Sequence, residues 1–333
     1  MASEGLRLGV AGATGALGGE VLAVLDESPL RIADLVLLAT DRSLGTEVEF
    51  QGNGYPVHAE VPSLRGLDLL FLCAPGEASL ELARQALHAE VPCIDLSGAL
   101  STSDEVPLRV AAFGPPPEGE AHPLVATPSG SALTWALVLR PLAEQAGLRR
   151  VVGTVLETAS AAGRAGVEAL YAESLALFNQ DDPPDVEAFG RPIAFDCLPA
   201  AGPLGEGGAT DGEEALMRSL ARLLDPKVKI SATAVQVPVF VGQGSVLAIE
   251  TEQPLDPKQA EALLAKAPGV EVWEEHVDAL TTRAASGRNE ALVGRVRRDP
   301  SCENGLLLWV ASDALRLAAT NAVALAVSRL HAH

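Results

Sequence analysis

A chain of 333 residues with 44 Asp and Glu against 24 Lys and Arg has a formal net charge of −20, which repels phosphate backbones and anionic bilayers and so argues against nucleic acid or membrane as a partner. Hydrophobic residues make up 48% and aromatics only 4%, a globular composition with length for about two domains and, lacking any span-length apolar run or basic leader, a cytoplasmic protein is expected. Cys73, Cys93, Cys197 and Cys302 have no ligand spacing, so neither a metal site nor a disulfide framework is expected, and each reads as a small core residue.

Residues 6–25, LRLGVAGATGALGGEVLAVL, run from an apolar strand through glycines into a helical pattern. Gly12, Gly15 and Gly18 fall every third residue, a spacing that lets the backbone turn tightly and approach a pyrophosphate at a helix N-terminus. Apolar runs at 34–39, 68–74, 91–96 and 124–127 are the next strands, with a helix over 77–89 between the second and third. Strands alternating with helices imply a parallel sheet closing near residue 128. Residues 97–105 read as a loop and 114–119, GPPPEG, as a rigid link.

The sequence PSGS at 128–131 opens a helix over 132–145 that stops at Gly147, and β-rich residues 150–159 begin a second domain. A helix over 167–179 is amphipathic, whereas 181–212 is too rich in Pro, Gly and Asp for regular elements. Helices at 213–224 and 257–267 and strands at 229–241, 245–251 and 305–310 follow, fitting an antiparallel or mixed sheet. An Ala/Leu helix over 313–331 ends the chain. His58, His122 and His276 read as loop or helix-end residues, and Arg295, Arg297 and Arg298 as a solvated strand end.

With these motifs in view, the chain resembles the aspartate-semialdehyde dehydrogenase family along nearly its whole length. GATGALG looks like that family's phosphate loop, LATDRSLG at 38–45 like its 2'-phosphate segment, and LVGRVRRDPSCENGLLLWVASDALR at 292–316 like its C-terminal signature. The resemblance implies an α/β fold: a Rossmann-type parallel-sheet domain from 1–128 plus 313–333, and an α+β dimerisation domain from 129–312. It implies NADP held by Gly12, Thr14, Gly15, Ala16, Leu17, Thr40, Arg42 and Ser43, with Asp41 as the residue that would instead favour NAD. A homodimer through the central domain is also implied.

Matched position by position, the resemblance places Gly130 where the family has its cysteine nucleophile and Glu157 where it has a glutamine. In QVPVFVGQ, Gln236 stands for the substrate-clamping arginine and Gln243 for the acid/base histidine. Ser101 and Leu216 replace the phosphate-binding arginine and lysine. No cation remains at these positions to pair with a carboxylate or acyl phosphate. Ser129 and Ser131 flank Gly130, with no histidine in the matched frame to activate them. The expectation is a catalytically degenerate, Usg-type paralogue that keeps a dinucleotide pocket as a binding or regulatory protein. An oxidoreductase with altered chemistry is the alternative.

Overall fold

The computed structural model describes residues 5–59, 63–115, 122–182, 188–273 and 279–331. The chain separates into two compact units, one of residues 1–129 and 318–333, the other of residues 130–317.

The first unit begins with β1 (Leu6–Ala11), α1 (Ala16–Glu27), β2 (Ile32–Leu38), β3 (Glu47–Phe50) and β4 (Asn53–His58). It continues through β5 (Leu69–Leu72), α2 (Gly76–His88), β6 (Cys93–Asp95) and β7 (Leu124–Ala126). The strand order is β3-β4-β2-β1-β5-β6-β7, parallel except for the β3–β4 hairpin at one edge. Leu8, Val10, Leu37, Leu69 and Phe71 are buried, as expected of parallel strands with both faces covered. The hairpin escapes a reading by periodicity because its strands are short and largely exposed. His58 lies at the end of β4 rather than in a loop. His276 and most of the 114–119 link lie outside the described residues.

In the second unit α3 (Gly130–Ala146) precedes β8 (Leu148–Glu157), α4 (Gly163–Asn179), α5 (Asp211–Leu223), β9 (Lys229–Gln236) and β10 (Gln243–Thr251). Then come α6 (Pro257–Leu264), β11 (Val270–Val272), β12 (Ala291–Arg298) and β13 (Gly305–Ser312). The mixed sheet is ordered β11-β12-β13-β10-β8-β9. α3 lies on it through Trp135, which is fully buried and donates from Nε1 to Ser245 Oγ at 2.9 Å. β9 ends at Gln236, five residues before the pattern-based end at 241, because Pro238 has no amide to give a ladder.

The last helix, α7 (Ala314–Leu330), brings Ala319, Ala322, Val323 and Ala326 into the core of the first unit. Cys93 is buried, but Cys197 is exposed, correcting its reading as a core residue. Among the described residues no helix is long and apolar enough to cross a membrane, and no group of three or more His, Cys, Asp or Glu is arranged to hold a metal.

Candidate functional site

In the first unit β1 delivers the chain into Gly12, whose φ of +78° is strained for any residue with a side chain. A Cβ there would lie 2.7 Å from the Cys73 carbonyl oxygen, and one at Gly18 would collide with the Gly12 carbonyl. Gly15 is the N-cap of α1 and has no side chain to cap it, so the first-turn amides are left for an anion. These features adjoin a cavity of about 630 Å³, whose wall includes Gly12, Thr14, Gly15, Thr40, Asp41 and Cys73.

Ala16 and Leu17 form the first turn of α1 and do not line that cavity. Arg42 and Ser43 lie in a short 3-10 turn, Asp41–Ser43, beside it; Arg42 is exposed, and Ser43 Oγ is 3.0 Å from Thr14 Oγ1. That hydrogen bond ties the Asp41–Ser43 turn to the glycine loop after β1. Burial first, and the Asp95 carboxylate second, push the Cys73 thiol up, which leaves it unreactive. Asp95 is itself fully buried and receives hydrogen bonds from Ser97 and Leu100, holding the loop after β6. Ser101 donates to the Gly98 carbonyl, so it serves the same loop.

The second unit gathers its candidates at one edge of its sheet. β8 and β9 are parallel with Glu157 opposite Gln236, and β10 runs antiparallel to β8 with Gly244 opposite Leu156. The ends of β8 and β9 therefore meet the start of β10. The N-terminus of α3 reaches the same edge. Ser131 Oγ donates to Glu157 Oε1 at 2.9 Å, and Gln243 Nε2 donates to both Ser131 Oγ and Glu157 Oε2 at 2.9 Å. Gln236 Nε2 donates to the Glu157 carbonyl at 3.1 Å.

Burial pushes the Glu157 carboxyl above the usual carboxylate range, opposed by the hydrogen bonds from Gln243 and Ser131. Gln243 Oε1 is buried and has no partner among the described residues. Gly130 has no room for a side chain: a Cβ would stand 2.6 Å from Ala314 Cβ. Leu216 faces the core of the unit, 3% exposed, and Glu213 before it is a buried capping residue, accepting from Thr210 N and Ala234 N at 2.7 Å each.

A second cavity, of about 550 Å³, is lined by Gln236, Phe189, Leu198, Leu204 and Arg191. Arg191 went unnoticed in the sequence because it lies in the irregular 181–212 stretch, where no motif marks a cation.

Two family descriptions match the chain, "Semialdehyde dehydrogenase, NAD binding domain" over residues 7–116 and "Semialdehyde dehydrogenase, dimerisation domain" over residues 139–317. The aspartate-semialdehyde dehydrogenase of Aquifex aeolicus is 34% identical over 330 residues, covering 97% of each chain. A USG-1 protein homolog of Azotobacter vinelandii is 35% identical over 331 residues, again covering 97% of each. The crystal structure of aspartate-semialdehyde dehydrogenase II from Vibrio cholerae, complexed with ASA, superposes with a TM-score of 0.92 at 31% identity over 99% of each chain. The chain belongs to the aspartate-semialdehyde dehydrogenase family.

Proposed function

We propose that the protein is a homodimeric, NADP-binding member of this family that does not carry out the cysteine-dependent dehydrogenation of aspartate semialdehyde, and that it acts in the cytoplasm as a binding or regulatory protein toward that chemistry. The observation that carries this reading is the closed space at Gly130: the position matched to the nucleophile lacks a side chain, and Ala314 occupies the volume one would need. Gln243 supports it, since an amide cannot exchange the proton that a histidine passes at pH 7.

Dinucleotide binding rests on the glycine turn and the open amides of α1. Gly12, Thr14, Gly15, Ala16 and Leu17 would hold the pyrophosphate, and Thr40, Arg42 and Ser43 the 2'-phosphate; the bound cofactor supplies a hydride carrier. Dimerisation is supported by a stripe on α4, where Tyr171, Leu175 and Phe178 are 62%, 47% and 75% exposed at helical spacing.

The second reading, an oxidoreductase acting on an altered substrate without a covalent intermediate, is favoured by Arg191, which gives the cavity at Gln236 a cation that the matched positions lack. Phosphate-dependent reduction of NADP with aspartate semialdehyde tests the first reading. Clear turnover by the wild-type protein overturns it.

A further inference from the structure

Ser131 is the second residue of α3, and its hydroxyl lies 2.9 Å from a carboxylate oxygen of Glu157. That is the reach a nucleophilic hydroxyl needs to hand its proton to a base. Gln243 bonds both groups through one nitrogen and so fixes them against each other. The same side chain is 3% exposed, and its Oε1 meets no donor among the described residues. A buried acceptor left open in a polar cluster marks a place for a donor that a ligand or water brings.

Burial raises the affinity of Glu157 for a proton, which moves a carboxylate towards the strength that a general base needs near neutral pH. Gln236, which donates to the Glu157 main-chain carbonyl, also lines the 550 Å³ cavity, where Arg191 stands on an otherwise largely apolar wall. Arg191 is exposed, and no ion pair joins it to a carboxylate among the described residues.

We infer that Ser131 is the nucleophile, and Glu157 the general base, of a hydrolytic site for esters or thioesters of short acyl groups that carry a second, free carboxylate. The Ser131 oxygen forms a bond to the acyl carbon as its proton passes to Glu157, and the carbonyl oxygen becomes an oxyanion. Collapse breaks the bond to the leaving alcohol or thiol, which takes the proton from Glu157. Water then attacks the Ser131 ester, giving its proton to Glu157; the serine oxygen departs and recovers that proton. One water is consumed, and a carboxylic acid and an alcohol or thiol are released. Arg191 holds the free carboxylate of the acyl group. No hydride moves, so the inference does not rest on dinucleotide binding.

The full-length protein should be treated with a fluorophosphonate and digested for mass spectrometry, and assayed with the p-nitrophenyl monoester of succinic acid and with p-nitrophenyl butyrate. The phosphonyl mass is expected on the peptide carrying Ser131, together with hydrolysis of both esters. Ser131→Ala should lose both signals, and Glu157→Gln should lower the rate at least about 100-fold and flatten its pH profile. Arg191→Ala should raise KM for the charged ester by a larger factor than for the butyrate. Wild-type protein that takes no label and turns over neither ester overturns the inference. So does a label on another residue, or a folded Ser131→Ala that hydrolyses at the wild-type rate. The wild-type labelling decides the matter even where a variant fails to fold.

Discussion

A Cβ on Gly130 would stand 2.6 Å from Ala314 Cβ and 2.7 Å from the Ala314 carbonyl oxygen, so the first turn of α3 and the start of α7 are packed to glycine's dimensions. Overpacking a tight contact costs about 1–3 kcal/mol. Gly130→Ala should therefore lower the urea midpoint, and Ala314→Gly in the same chain should recover part of the loss, giving a non-zero coupling in a double-mutant cycle. Additive effects would show that the backbone moves apart without cost.

Gly130→Cys should not generate dehydrogenase activity. The thiol meets the same crowding, Gln243 takes no proton from it, and Gln236 offers no guanidinium to a substrate carboxylate. Groups that act as a unit recover little when one is restored alone. Reduction of NADP by the single variant and by the quadruple variant Gly130→Cys, Glu157→Gln, Gln236→Arg, Gln243→His is the measurement. Turnover by the single variant would mean that Gln243 is not where the family's histidine stands.

Glu157 makes stability depend on pH with a defined sign. Its folded carboxyl is held above its ordinary range by burial, so between the unfolded and folded values the native state binds more protons than the unfolded chain. Stability from this group is complete below the unfolded pKa and is lost as pH rises through the folded one. Relative to wild type, Glu157→Gln should gain in thermal midpoint as pH rises above the ordinary carboxylate range. A pH-independent difference would refute the assignment.

The glycine turn was legible in the sequence because it is local: three glycines and an apolar run suffice to specify strand, turn and helix. The four altered positions were legible one at a time. Their assembly was not, since Ser131 and Glu157 are 26 residues apart and Ser131 and Gln243 are 112 apart, and only the register of β8, β9 and β10 brings them together. Only the charged end of β12 was legible as a strand, because its apolar start, Ala291–Val293, is buried while Arg295, Arg297 and Arg298 are exposed, so neither alternation nor a pure apolar run marks its full extent. Arg191 entered the cavity from a segment without any period at all.

Arg42 should make NADP the tighter ligand. Its guanidinium is exposed in the Asp41–Ser43 turn after β2, and the Ser43–Thr14 hydrogen bond keeps that turn beside the glycine loop. Arg42→Ala should weaken NADP by about 1.5–3 kcal/mol, the range for a hydrogen bond to a charged group, and leave NAD almost unchanged. Asp41 on the cavity wall supplies the opposing case. Calorimetry showing equal or tighter binding of NAD to the wild-type protein would reverse the preference.

The exposed stripe of Tyr171, Leu175 and Phe178 is expected to be covered by a second copy of the chain. Phe178 also meets Phe195 edge to face at 5.7 Å between ring centroids, so the patch extends beyond α4. Tyr171→Glu with Leu175→Glu puts charges into such a face and should convert the dimer to monomer in light scattering at micromolar concentration. A wild-type monomer would reject the prediction outright.

Glu173 should prove to be the anchor of the segment that carries Arg191. It is fully buried on α4, and its Oε2 accepts from the main-chain amides of Ile193 and Ala194 at 2.7 and 2.9 Å. Ile193 packs with Ala159 and Leu170 immediately beside it, so these two hydrogen bonds fix where the apolar side chain enters. Glu173→Ala strands both donors, at about 1–3 kcal/mol for each amide left unpaired. Amide hydrogen exchange at residues 193–194 and proteolysis of the surrounding segment should both accelerate. Glu173→Gln keeps an acceptor of the same shape, and its new amide group can occupy the position of Oε1, which has no donor to displace among the described residues. It should therefore stay close to wild type in exchange. Equal protection in wild type and Glu173→Ala would show that the segment is held by its apolar contacts alone, and equal damage in both variants would show that the negative charge, rather than the acceptor geometry, holds it.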